Sequence, residues 1–355
     1  MVLLPGGSSF CRGGFFISPP VLGYAFHSCY ICDMKKLVFF IALVFAAYSA
    51  DAQRLGKKYV LDKVIEVKGR QGIAIDENYY YVSSTTALYK YDKEGNLVAE
   101  NTEPFQNPGL ANHFGDIDIY KGEIFCGLEK FEYGRGFNIA ISVYDAETLQ
   151  WKRDLPWSPE SGQVEVSGIC IDRDKELVWM CDWVDSRYVY AYDLKTGRYH
   201  TKMQCRPMPY WTQGIFIADG KMLFAADDGE AMYGIPDNIY VADVSEVPYT
   251  GLVEGEEVVK ETPFSVKLDE DGKPVMRQGK VAGGAKAGRL ELLREMSDFR
   301  RAGEIEGLSI DPVNDDLVVL NNRGTRIVLG MSQGPIKEEG YDREVHELYV
   351  YRKVR

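Results

Sequence analysis

The chain has 355 residues, a formal net charge of −12 and 45% apolar residues, which is material for a sizeable core in one to three domains. With no basic stripe to neutralise phosphates, nucleic-acid binding is excluded as a working class. The acidic balance suits sugars, cations or basic partners instead, and twenty-three Tyr with sixteen Phe favour strands.

The chain opens on a targeting pattern. Met34-Lys35-Lys36 precedes the apolar run LVFFIALVFAAYSADAQ, and Ala50-Asp51-Ala52 supplies a small-x-small cleavage site before Gln53. Residues 34–52 therefore read as a secretory signal and 1–33 as upstream over-translation. A membrane anchor is the competing reading, but the run falls short of the roughly 20 residues a span needs. Of seven Cys, four lie beyond this segment: Cys126, Cys170, Cys181 and Cys205. Cys170 and Cys181 fall on adjoining strands, where a disulfide or two buried thiols are both open.

From residue 53 onward one plan recurs. Tyr59–Val67 is strand-like without a neighbouring partner. Then come QGIAID, YYYVSS, ALYKYD and NLVAEN; GDIDIY, EIFCGLE, AISVYD and LQWKRDL; SGICID, LVWMCD, YVYAYD and RYHTKM; QGIFIAD, MLFAADD and NIYVAD; and EGLSID, DLVVLNN and ELYVYR. Self-similarity of this kind marks a repeat architecture, and the alternation within segments marks strands. First strands read x-Gly-apolar-x-apolar-polar, with Asp116 once in place of the glycine. Third strands end near Tyr-Asp. The expectation is an all-β propeller of four-stranded blades, five favoured and six possible. Tyr59–Val67 would supply the outer strand that the last unit lacks, leaving no open edge. The single domain spans 53–355, with an insertion around 248–303 that carries neither end signal.

In a propeller, the starts of the inner strands and the ends of the second strands share one face around the channel. The starts offer Gln71, Asp116, Ser167, Gln213 and Glu306; the ends offer Ser84, Glu129, Asp182, Asp227, Asp228, Asn321 and Asn322. A ring of carboxylates and amides suits one divalent cation, calcium above all, and close carboxylates shift one another toward general-base behaviour. Glu306, Asp116 and His113 are the candidate catalytic residues. Glu306, Asp116, Asp227 and Asn321 are the candidate metal ligands. Trp183 and Trp211 are placed to stack on a ring-shaped ligand, and Arg323 to meet an anion. Each has a plain alternative: turn capping for the polar residues, rim packing for the aromatics and a salt bridge for Arg323. GxSxG and HExxH are absent, which excludes the corresponding hydrolase and protease signatures. Gly283–Gly288 lacks the GK[ST] of a phosphate loop.

The x-Gly-apolar-x-apolar-Asp first strands and aromatic-x-Tyr-Asp third strands resemble the NHL, TolB-like and gluconolactonase (regucalcin-type) propellers over most of 55–355. That resemblance implies a channel cation held in part by a Glu-Gly element, which Glu306-Gly307 matches. The leader is similar to those of exported proteins of Bacteroides-like bacteria. The functional expectation is an exported, monomeric propeller binding a small molecule, carbohydrate or protein partner at its channel face. The alternative is a divalent-metal-dependent hydrolase of lactones or sugar-derived esters.

Overall fold

The computed structural model describes residues 55, 58–183, 185–229, 235–262, 265–299, 303–323 and 343–354. Residues 1–54, which include the stretch read as a secretory signal, lie outside these. Among the described residues the regular structure is strand, apart from one 3-10 turn at Pro159–Ser161, and no helix is long and apolar enough to cross a membrane.

Five four-stranded antiparallel blades form a ring. Blade 1 runs Gly72–Ile75, Tyr79–Ser84, Ala87–Asp92 and Leu97–Asn101; blade 2 runs His113–Tyr120, Glu123–Glu132, Arg135–Asp145 and Trp151–Leu155. Blade 3 comprises Gly168–Asp172, Leu177–Cys181, Tyr188–Asp193 and Tyr199–Arg206. Blade 4 is Thr212–Ala218, Lys221–Ala226, Asn238–Asp243 and Glu291–Glu295. Blade 5 is Glu304–Ile310, Leu317–Arg323 and Val345–Lys353, closed by Tyr59–Val67. The closing strand pairs Tyr59 with Lys353 and Val67 with His346, with a bulge between Leu61 and Lys63. Each inner strand packs on the next, and that of blade 5 on that of blade 1.

The second strands are apolar runs because both faces of a blade are covered; all five residues of Leu177–Cys181 are buried. Side chains alternate between two seams. In blade 5, Leu317 and Val319 pack toward blade 4, while Val318 and Leu320 pack toward blade 1. The core is thus five apolar clusters, one in each seam, and a fully buried Leu or Val in them is worth roughly 1.5–3 kcal/mol. The recurring Tyr-Asp has a local cause. Asp92, Asp145, Asp193 and Asp243 each accept the amide of the residue two positions on, at 2.9–3.1 Å, turning the chain out of the third strand; in blades 1 to 3 it passes directly into the outer one.

Five blades, not six, account for the long step between the fourth and fifth units. The chain leaves blade 4 after its third strand and forms a hairpin of Leu252–Val258 and Met276–Ala282. It then adds Lys286–Arg289 in parallel to the outer edge of blade 3, and returns as the outer strand of blade 4. The Gly283–Gly288 stretch leads into that added strand. Cys170 stands opposite Trp179, whereas Cys181 stands opposite Gly168. All four described cysteines are buried free thiols.

Candidate functional site: the channel mouth

Asp116 fills the axis of the ring. Its Oδ1 accepts the amides of Ile73 (3.1 Å) and Ile117 (2.8 Å). Its own amide donates to Ser167 O at 2.6 Å. A Cβ placed on Gly72 or Gly307 would lie 2.3 Å from Oδ1, and one on Gly214 would lie 2.9 Å from Oδ2. Three glycines of the x-Gly series, Gly72, Gly214 and Gly307, are therefore the imprint of one carboxyl at the centre, while the fourth, Gly168, makes room for Cys181 and Ile215. Burial raises the Asp116 pKa well above the carboxylate range, against the pull of the surrounding amides. Asp116 is fully enclosed and serves the ring rather than the solvent.

On the blade 1–2 side of the mouth, His113 bridges Gln71 and Glu129. Its Nε2 lies 2.9 Å from Gln71 Oε1, and its Nδ1 lies 3.1 Å from Glu129 Oε1. Glu129 Oε2 accepts the Val166 amide at 2.9 Å. Beside it, Glu165 accepts the Trp183 amide, and Asp182 Oδ1 accepts the amides of Val164 and Glu165, both at 2.9 Å. Burial lifts the Asp182 pKa to about 8. Burial, with Glu129 and Asp182 close by, lifts that of Glu165 well above the usual carboxylate range.

The blade 3–4 side is aromatic. Trp183 and Trp211 stack with ring centroids 6.0 Å apart and planes 29° from parallel. Trp211 is 37% exposed and holds φ at +52°, a left-handed conformation that costs a bulky residue on the order of 1–3 kcal/mol. Its carbonyl accepts the Asp227 amide at 3.1 Å, so the aromatic pair adjoins the carboxyls of the blade 4–5 seam. There the Asp227 carboxyl donates to that of Asp237; burial raises the pKa of both, Asp237 and Glu304 add to the rise at Asp227, and the contact with Asp227 pulls that of Asp237 back. Asp237 accepts the amides of Gly229 (3.2 Å) and Ile305 (3.1 Å). Gln213 donates to Glu304 Oε1 at 3.2 Å.

The other anticipated residues hold blade 5 together. Asn322 donates to Glu306 Oε1 (2.5 Å) and to Arg70 O (2.8 Å), and its Oδ1 lies 2.9 Å from His346 Nδ1. Burial, aided by Arg70, lowers the His346 pKa to about 4, so the imidazole is neutral and Nδ1–H donates. Glu306 is itself buried with a strongly raised pKa. Arg323 meets Glu347 at 3.1 and 3.2 Å, which is the salt-bridge alternative. Asp228 is engaged by Asn238 and Tyr240. Asn321 is enclosed, and neither atom of its amide has a partner among the described residues.

The face-sharing rule thus brings Gln71, His113 and Glu129 into one chain of contacts, and Glu306 and Asn322 into another. It misses Glu165, Asp237 and Glu304. Glu304 stands two residues before Glu306 at the start of the same inner strand, where the register shifts between Ile305 and Leu308 and strict alternation gives no guide. Glu165 and Asp237 lie in connections that the strand repeat does not index. For a cation, Asp116 presents an unsuitable environment: its oxygens face amide hydrogens and glycine backbone, where a ligand shell needs space and further oxygens. Among the described residues no three His, Cys, Asp or Glu side chains are grouped to hold a metal.

No family model matches the chain, and no curated protein sequence matches it. Among solved structures it is similar to the glutaminyl cyclase of Myxococcus xanthus. The TM-score is 0.47 and the identity 9%, over 83% of this chain and 95% of that one.

Proposed function

We propose that this chain is an exported β-propeller whose channel mouth binds a small carbohydrate-like ligand. Export is supported by the leader at Met34–Gln53. The observation that carries the ligand reading is the exposed Trp211, stacked on Trp183 and held at positive φ beside a row of carboxyl and amide groups. A sugar ring offers an apolar face for the indole and hydroxyls for Gln213, Glu304 and Asp227. Carboxyls that keep their protons both donate and accept, as a hydroxyl-rich ligand requires. The alternative of a metal-dependent lactonase rests on the Glu306-Gly307 element, and Glu306 is already engaged by Asn322.

A panel of mono- and oligosaccharides titrated by calorimetry and by tryptophan fluorescence tests this. Trp211→Ala should weaken binding about tenfold or more, the scale on which a stacking anchor counts. Trp151→Ala, which removes a comparably exposed indole (36%) from the outer strand of blade 2, should leave binding unchanged. Saturable binding indifferent to Trp211, or no binding to any saccharide, would remove the proposal.

A further inference from the structure

The blade 4–5 seam, resting on the ligand reading above, says more about what the ligand carries. Asp227, Asp237 and Glu304 stand together at the mouth, with Asp228 next to them. Among the described residues none of the four makes an ion pair with a cation. Asp237 is served by backbone amides, Glu304 by the Gln213 amide, and Asp228 by Asn238 and Tyr240. Among the described residues the cation that acts on Glu304 is Arg70, whose own ion-pair contact is Glu344 at 3.8 Å. Asp227 and Asp237 thus meet carboxyl to carboxyl, and one proton held between them leaves the pair with a negative charge and no counter-ion among the described residues.

An independent feature points into the same seam. Asn321 is 0% exposed, and among the described residues neither its Nδ2 nor its Oδ1 has a hydrogen-bond partner. Alternation places its side chain on the blade 4 side of its strand, with Leu317 and Val319. It stands opposite Ile305, whose amide donates to Asp237, and a Cβ on Gly303 would lie 3.0 Å from its Oδ1. A buried amide without hydrogen bonds carries a penalty of about 1–3 kcal/mol. The cost is recovered when a donor-rich group enters.

We infer that the ligand of the channel mouth bears a cationic nitrogen, an ammonium group on a saccharide ring. The ring lies against Trp211, and the ammonium enters the Asp227–Asp237–Glu304 cluster. The ammonium takes the place of the proton the carboxyls share, which is released to solvent on binding. Its three N–H donors suit three carboxyls, with the Asn321 carbonyl oxygen beside them.

The test compares three β-1,4-linked trisaccharides that differ only at C2: glucosamine, N-acetylglucosamine and glucose units. At pH 6 and low salt the glucosamine trisaccharide should bind about tenfold tighter or more than the other two, and the margin should shrink with salt. Asp227→Asn and Glu304→Gln, each checked for an unchanged circular dichroism spectrum, should bring the ratio to within about threefold. Equal binding of all three, or a preference that survives both substitutions, overturns the inference while leaving the carbohydrate site standing. Failure of all three to bind overturns both.

Discussion

The carboxyl of Asp116 stands where a side chain on Gly307 would have to begin, with Oδ1 2.3 Å from the position a Cβ would take. Backbone on every side prevents the contact from relaxing cheaply. Gly307→Ala and Gly72→Ala should each destabilise the fold by about 1–3 kcal/mol, the usual cost of overpacking. Gly284→Ala, where a Cβ meets nothing within 4 Å, should be near neutral. Urea melts of the three variants decide the matter; equal midpoints would show that the axis is looser than described.

Stability should be greatest in mildly acid solution. Asp182, with its pKa raised by burial to about 8, and the Asp227–Asp237 pair, raised chiefly by burial, hold their protons in the fold. The contribution of such groups is complete below the unfolded value of about 3.9 and is lost as pH rises through the folded value. Glu123 acts oppositely: Arg153 holds its pKa at about 2, so its contribution is present above the ordinary value and lost as pH falls toward 2. Thermal midpoints should therefore fall between pH 5 and 8, and Asp182→Asn should flatten that slope. A midpoint that climbs over this range would contradict the assignment.

Asn322 ties Glu306, Arg70 and His346 together, so its removal should be felt across the blade 5–1 seam. Asn322→Ala loses hydrogen bonds worth about 1 kcal/mol each and strands buried partners at about 1–3 kcal/mol. Asn322→Asp should be worse, because it sets a second carboxyl against buried Glu306. Denaturant titration gives the order; an aspartate milder than alanine would argue against the contact as drawn.

Calcium is expected to leave the melting curve where a chelator leaves it. Asp116 is saturated by amide donors on one oxygen and enclosed by glycine backbone. A cation bound to the native state would raise the midpoint by mass action. A rise of several degrees at millimolar calcium would show a binding set other than the one centred on Asp116.

The ring was legible because its signals are local. The Asp that closes the third strand of blades 1 to 4 accepts the amide two residues on, and the inner-strand glycines Gly72, Gly214 and Gly307 are demanded by one carboxyl at the axis, so both recur at fixed places. The closing strand was legible by subtraction, since one unit lacked an outer strand and Tyr59–Val67 lacked a partner. The outer strand of blade 4 was hidden. Glu291–Glu295 is highly charged, half-exposed and separated from its blade by the hairpin, so neither period nor composition marks it. At the mouth, pairs that meet through the inner-strand start and second-strand end were readable, as His113 and Glu129 show. Asp237 and Glu165 reach the site from connections, whose course depends on what they pack against and not on the repeat.

The pairing of Tyr59 with Lys353 also sets an order of events. Blades 1 to 4 draw on earlier stretches of chain, whereas blade 5 joins the strand at 59–67 to the one at 345–353. During synthesis the earlier strand must wait until the later one emerges. The species that waits is an arc with two raw ends, and both ends are open to pairing with another chain. Its lifetime, governed by the slow closure of so distant a contact, makes the last step of folding the one most exposed to misassembly.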